Sequence, residues 1–306
     1  TNELVKQAKK ISKKFSKREL DVLLASGEQV TSALLAGALN KLKVKAKSFM
    51  GWQIPILVEG DQNNSRIVNM NVEKINQFLT NKGVAVIPGL QSNSKNGEIT
   101  TIKRGGSDAT AVAIAKIFKT DHCEIYTNVR SVFSNDPKNF PKAKKISKIS
   151  YEEMLELASQ GAKVLQTRSV ELAMRKKTKL SVRSSIKPNA SGTIITDENK
   201  LLENNTVSGI AYSKDEAKIT LSKVLDKPGI SSKIFGPLAK GSINVDMILQ
   251  NVSQDGKYAN LSFTLPRQDI DKAIKILKKE KINIRYQKMQ YSTDIAKVSV
   301  VGVGMR

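Results

Sequence analysis

The sequence predicts an α/β protein: helices around a largely parallel sheet, then a smaller β-α-β-β-α-β unit of ferredoxin-like order. Three observations predict it. Over the first two-thirds of the 306 residues, helically spaced apolar segments alternate with short apolar strands. A polar stretch at 187–206, with Pro188, Gly192 and several Asn, then reads as a linker. Beyond it, period-two strands and two helices follow one another in the ferredoxin-like order.

Taken in order, the spacing predicts a helix over 27–42, with Val30, Leu34, Leu35, Ala38, Leu39 and Leu42 on its apolar side. Ser26 reads as the capping segment of this helix and Glu28 as an acidic residue in its first turn. Residues 45–50 read as a strand, and 72–80 as a helix stopped by Asn81, Lys82 and Gly83. Val84, Ala85, Val86 and Ile87 form an apolar run closed by Pro88-Gly89, the signature of a strand buried on both faces. Gly105 and Gly106 then lead into a helix opened by Ser107 and Asp108 and carrying Val112, Ile114, Ala115, Ile117 and Phe118. A strand at 123–127, helices at 151–158 and 163–175 and a strand at 180–184 complete the first part.

After the linker come a strand at 217–221, a turn at 226–229 and a helix at 230–240. Ile243, Val245, Met247 and Leu249 alternate with Asn244, Asp246 and Gln250, which marks a strand with one apolar face. Asp255-Gly256 turns into a strand at 261–265, followed by a helix at 268–280 and a strand at 282–286. A second unit of this kind starts at 296–303. The expected domains are therefore 1–186, a linker at 187–206, 207–291, and the start of a further unit at 292–306.

Composition narrows the function. The formal charge is +23, but the basic residues are spread along the chain, 10 Arg against 41 Lys, and aromatics make up 5%. Stacking platforms and arginine-rich phosphate grips are therefore not expected, and a solvated lysine-rich surface accounts for the charge better than nucleic-acid binding. A single cysteine, Cys123, cannot form an internal disulfide, so a reducing cytoplasm is the natural compartment. A single histidine, His122, excludes multi-histidine metal sites and argues against a Ser-His-Asp triad. No uninterrupted apolar run approaches membrane-spanning length and no signal-peptide pattern opens the chain. The chain starts at Thr1 and stops in a strand-like Val-Gly-Val-Gly run, so both ends read as cut.

The richest motif is Arg104-Gly105-Gly106-Ser107-Asp108. Paired glycines let a ligand approach the backbone, and the helix that follows directs unpaired N–H groups and a positive dipole end at the same place. An anion is the natural occupant, and Arg104 adds a planar donor fork. Glu28 faces the same strand-end crevice and would order a substrate amine. Thr127, Asn128, Phe133, Asp136 and Lys138 lie on a loop after a strand, which reads equally as a turn or as a nucleotide loop with Asp136 and Lys138 near ribose and phosphates. In the second unit, Asp226, Lys227, Pro228, Gly229 and Ile230 form a strand-to-helix turn. This turn can hold the amino and carboxylate groups of a small amino acid, with Asp246, Gln250 and Asn251 as candidate walls.

Eight segments in order resemble aspartate kinases. They are Ser26-Gly27-Glu28-Gln29-Val30, Arg104-Gly105-Gly106-Ser107-Asp108, Tyr151-Glu152-Glu153-Met154-Leu155-Glu156, Lys163-Val164-Leu165, Ser208-Gly209-Ile210-Ala211, Asp226-Lys227-Pro228-Gly229, the run from Asn244 to Val252, and Val301-Gly302-Val303-Gly304-Met305. The resemblance covers essentially the whole chain. It implies an amino-acid-kinase-type three-layer sandwich followed by paired ACT regulatory units that build homo- or hetero-oligomers. It also implies transfer of the ATP γ-phosphoryl group to the side chain of L-aspartate with Mg²⁺, and feedback by lysine or threonine. By the family pattern, Glu28, Arg104, Gly105, Gly106 and Ser107 would bind aspartate and Asp108 would organise the reacting centre. Thr127, Asn128, Phe133, Lys138, Lys163 and Val164 would surround ATP.

The chain departs from the pattern in two places. Nothing in it matches the family's amino-terminal Lys-Phe-Gly-Gly-Thr-Ser-like strand, so these 306 residues alone are expected to turn over little or nothing. In the nucleotide loop, Asn128, Arg130, Ser131, Phe133 and Lys138 stand where the family usually has Asp, Asp or Pro, Gly, Tyr and Arg. Ser131 is expected to resist the positive φ a glycine would adopt there. A second reading is therefore a catalytically degenerate regulatory subunit that senses amino acids.

Overall fold

The computed structural model describes residues 2–12, 14–54, 56–59, 66–94, 96–102, 106–162, 164–197, 207–253 and 256–302. It divides into two units, one of Thr1–Gly209 with Val301–Arg306 and one of Ile210–Val300.

The first unit runs α1 (Asn2–Ile11), α2 (Lys17–Lys41), β1 (Ala46–Ser48), β2 (Ile56–Glu59), β3 (Arg66–Met70), α3 (Glu73–Thr80), β4 (Val84–Val86), β5 (Gln91–Asn93), β6 (Ile99–Thr101), α4 (Gly106–Ile117), β7 (His122–Thr127), β8 (Lys148–Ser150), α5 (Tyr151–Ser159), α6 (Thr167–Lys176), β9 (Lys179–Ser184) and β10 (Thr193–Thr196). Its strands form a β1-β4 pair and two four-stranded sheets of order β3-β2-β5-β6 and β7-β9-β10-β8. The α/β class is as expected, but the sheets are mixed. β7 and β9 run parallel, as do β8 and β10, whereas β9–β10 and β5–β6 are antiparallel. Connections of a few residues, too short for a crossover helix, force these antiparallel neighbours.

Several expected boundaries move. The stretch read as a linker contains β10, whose Thr193 and Ile195 are fully buried. β4 pairs with β1, and Val84 is largely exposed, so this strand is not buried on both faces. The largest change is in α2. It starts ten residues earlier than its expected bound of 27, so Ser26 lies inside the helix and caps nothing; its hydroxyl donates back to the Leu23 carbonyl. The buried face is Ala25, Ser32 and Ala36, while Val30, Leu34, Leu35 and Leu42 are exposed. Small residues let the helix axis approach β1 and β4, where Ala36 packs with Ala46, Val86 and Leu39. At 25 residues, α2 is also the one described helix long and apolar enough to cross a membrane by length and composition, although Ser26, Glu28, Gln29, Thr31 and Ser32 interrupt its apolar run.

The second unit comprises β11 (Gly209–Leu225), α7 (Ile230–Lys240), β12 (Ile248–Val252), β13 (Tyr258–Pro266), α8 (Ile270–Lys279), α9 (Lys281–Ile284) and β14 (Lys288–Val301) in a sheet of order β12-β13-β11-β14. The ferredoxin-like order stands with three shifts. Strand structure begins at Ile248 rather than at 243, because 243–247 are irregular. Residues 281–284 are helical and end at Arg285 in the left-handed region, so the last strand starts at Lys288. Residues 296–301 continue that same strand rather than opening another unit.

Its core joins Ile219 and Leu221 of β11, Leu261, Phe263 and Leu265 of β13, Ile234 and Leu238 of α7, and Leu277 of α8. Phe263 meets Phe235 edge to face at 5.4 Å between ring centroids. Phe263→Ala is expected to destabilise this unit by about 3–5 kcal/mol. Urea unfolding measures it, and a loss under about 1 kcal/mol would mean that the ring does not hold the sheet to its helices.

Candidate functional site

The end of β4 and the start of α4 meet by backbone contact. β4 runs into Pro88-Gly89, and a Cβ placed on Gly89 would sit 2.7 Å from Ser107 Cα, so only glycine lets the start of α4 come this close. Leu90 follows at φ 66°, a left-handed conformation that strains a bulky residue by about 1–3 kcal/mol. It is held there because its carbonyl accepts the Ile102 N–H at 2.7 Å. The next residue, Gln91, is buried, and its Nε2 donates to the Ala25 carbonyl of α2 at 3.1 Å. Thr101 Oγ1 donates to Asp21 Oδ1 at 2.6 Å. Two polar links thus fix α2 against β5 and β6, with Glu28 three residues beyond the anchored Ala25. Gln91 was not singled out from the sequence; a glutamine after a Pro-Gly turn gives no signal of burial.

α4 begins at Gly106, and its first-turn N–H groups have no partner within the helix. Ser107 is exposed beside them and Asp108 is half-buried. No cation pairs with Asp108 among the described residues, and desolvation pushes its carboxyl above the usual range. Burial, helped by Asp108 and then Glu124, pushes the Cys123 thiol up to about 11. Arg104, Gly105 and Lys163 lie outside the described residues.

In the β7-β9-β10-β8 sheet, Thr127 closes β7, and its carbonyl accepts the N–H and hydroxyl of Ser185. Asn128 is exposed and Phe133 bridges to Lys145. Asp136 is committed to its own turn: its carboxylate accepts the Lys138 N–H at 3.0 Å and Asn139 Nδ2 at 3.1 Å. That favours the turn reading for Asp136, while the Lys138 side chain stays exposed. Ser131 does not adopt a positive φ, in keeping with the expectation that it would resist one. It is buried with its hydroxyl unpartnered. Val164 is half-buried in the turn before α6.

A cluster that the sequence reading passed over fixes the β7 end. Register places Tyr126 opposite Arg183. Arg183 Nη1 donates to Glu124 Oε1 at 2.7 Å and Nη2 to the Pro188 carbonyl at 2.9 Å, and Tyr126 Oη donates to Glu124 Oε2 at 2.8 Å. Strand period two, which aligns Glu124 with Tyr126, was the available signal. His122 is structural, sharing a 2.8 Å hydrogen bond with Ser181 Oγ.

In the second unit, Gln250 Nε2 donates to Asp226 Oδ1 at 3.0 Å, so two of the candidate effector residues meet. Lys227 and Pro228 are exposed, Gly229 at φ 86° caps α7, and Ile230 is buried in the core. Asn251 is exposed on β12. Lys297 of β14 donates to the Asp246 carboxylate, which stays partly exposed.

The raised Asp108 carboxyl has a signed consequence. As pH rises, the unfolded chain ionises first, so stability present below the ordinary Asp range is lost as pH passes the higher folded value. Asp108→Asn is therefore expected to be more stable than wild type at neutral pH and to lose that advantage below about pH 4. Urea midpoints at the two pH values measure it, and a variant less stable at neutral pH contradicts it.

Comparison with known proteins places these features. Residues 1–184 match the amino acid kinase family and residues 222–280 an ACT domain. An aspartate kinase of Pseudomonas putida is 45% identical over 307 residues, covering 100% of this chain and 74% of that protein. The structure of E. coli aspartokinase III in complex with aspartate and ADP superposes with a TM-score of 0.79 at 23% identity, covering 98% of this chain and 67% of that one; it speaks to fold. The same enzyme in complex with lysine and aspartate gives 0.72 at 25% identity, covering 94% and 64%. With kinase and ACT matches in the order of its two units and 45% identity along its whole length, the chain belongs to the aspartate kinase family.

Proposed function

We propose that this protein transfers the γ-phosphoryl group of ATP to the side-chain carboxylate of L-aspartate, giving 4-phospho-L-aspartate. That is the step leading towards lysine, threonine and methionine. The observation that carries the reading is the crevice at the α4 start: unpaired helix N–H groups, an exposed Ser107 and the half-buried Asp108 beside Gly89. Helix N–H groups 106–109 and Arg104 would hold aspartate carboxylates, and Glu28 its ammonium. Asp108 has no cationic partner among the described residues and is penalised by burial, which fits a carboxylate facing Mg²⁺ carried by the nucleotide phosphates. The metal would supply charge neutralisation of the transferring group. Thr127, Asn128, Phe133, Lys138, Lys163 and Val164 would line the nucleotide, with Asp136 shaping its loop. Phosphoryl transfer asks such a site mainly to position groups and balance charge.

Feedback by lysine or threonine would act at the turn 226–230 with Gln250 and Asn251, the Asp226–Gln250 bond forming one wall. The E. coli relative seen in complex with lysine and aspartate supports lysine as a candidate effector. Assembly would use β12, an edge strand whose Ile248, Leu249 and Val252 are all exposed. The second reading, an amino-acid-sensing subunit without catalysis, is favoured by Asn128 and Lys138, which replace a charge and a bidentate fork.

A coupled ADP-release assay on the full-length protein tests this. Aspartate-dependent turnover is expected, with Glu28→Gln raising KM for aspartate about tenfold or more and Asp108→Asn lowering kcat by about 10²–10³. Absence of ADP release, with lysine or threonine bound but not ATP, overturns the kinase reading in favour of the sensor.

A further inference from the structure

Both covalent connections between the two units leave the first unit at one spot. The chain passes out at Gly209 and returns at Val301, and the Ser208 N–H donates to the Val301 carbonyl at 2.8 Å. The Ser208 hydroxyl donates to Oε1 of Glu153, 55 residues earlier. Glu153 is a buried carboxylate at the third position of α5. Its Oε2 accepts the Ser150 N–H at 3.1 Å, and its own N–H donates to Ser150 Oγ at 3.1 Å. A capping box needs one carboxylate oxygen. Here the second oxygen is spent on the point where the chain changes units.

The exit is also tightly seated. A Cβ on Gly209 would lie 3.2 Å from Leu157 Cδ2 of α5 and 3.3 Å from the Ser134 carbonyl oxygen of the candidate nucleotide loop. Ser134 is in turn bonded through its N–H to the Lys144 carbonyl and through its hydroxyl to the Lys144 N–H. The outgoing and returning segments belong to β11 and β14, neighbours in the second unit's sheet. A shift between those two strands must therefore move Ser208 or Val301, and with them the carboxylate that caps α5.

We propose that Glu153 and Ser208 form a latch that transmits the state of the ACT unit to the start of α5 and the adjoining nucleotide loop, with Glu153 as a positioning residue. The inference rests on the proposed kinase reading only for its activity readout.

The test uses the full-length protein and Ser208→Ala, with Ser208→Thr as the conservative variant that keeps the hydroxyl. In the absence of ligands, hydrogen exchange should rise in Ser208→Ala both at residues 209–211 and at the α5 amides 150–154, and return to wild type in Ser208→Thr. In the ADP-release assay, the half-inhibitory concentration of the effective amino acid, lysine or threonine, should rise at least about threefold, with kcat within about twofold. Unchanged exchange at 150–154 in Ser208→Ala overturns the latch, as does an unchanged inhibition midpoint. A wild-type protein without aspartate-dependent turnover overturns the kinase reading instead, and the exchange result alone then decides the latch.

Discussion

The contact between Gly89 and Ser107 constrains the rest of the candidate site. A β-carbon at Gly89 would overlap Ser107 Cα at 2.7 Å, so the closing of β4 and the opening of α4 share a space only a glycine leaves free. This closeness brings a helix start, with its unpaired N–H groups, to the end of a strand, where α/β folds collect anionic ligands. The strain at Leu90 and the buried amide of Gln91 follow from it, since the chain must turn sharply and still return into β5. The polar bond from Gln91 to Ala25 then fixes α2, the helix that carries Glu28, against β5.

Buried polar joints recur where segments distant in sequence must meet. Thr193 Oγ1 accepts the Val132 N–H and donates to the Ile146 carbonyl, tying the loop after β7 to β10. Ser150, Glu153 and Ser208 do the same for α5 and the exit to the second unit. Each such bond adds roughly 1 kcal/mol net, yet leaving one partner buried and unpaired costs about 1–3 kcal/mol. Joints of this kind therefore specify position more than they add stability. The Ser131 hydroxyl, buried without a partner in the loop after β7, shows the opposite case.

Much of this was readable from residues alone. The α/β class, the ferredoxin-like order and the α4 helix opening at its glycines follow from periodicity and turn chemistry, which are local. What escaped is non-local. The apolar positions Val30, Leu34 and Leu35 outweigh Ala25, Ser32 and Ala36 in any hydrophobic pattern, but close approach to β1 and β4 selects the small face. Residues 281–284 carry strand-like Ile-Asn-Ile, yet they continue from the end of α8 as a helical turn before Arg285 reverses the chain. The pairing of Asp246 with Lys297 joins residues 51 apart. Gln91 gains meaning only from Ala25, 66 residues away, and the second carboxylate oxygen of Glu153 from Ser208, 55 residues away.

The most direct measurement is calorimetric titration of L-aspartate into the full-length Gly89→Ala variant. The added methyl must displace the start of α4, so aspartate affinity should fall at least about tenfold, while ATP affinity and the far-ultraviolet circular dichroism remain those of wild type. Aspartate binding unchanged from wild type would contradict the assignment of this crevice to the substrate.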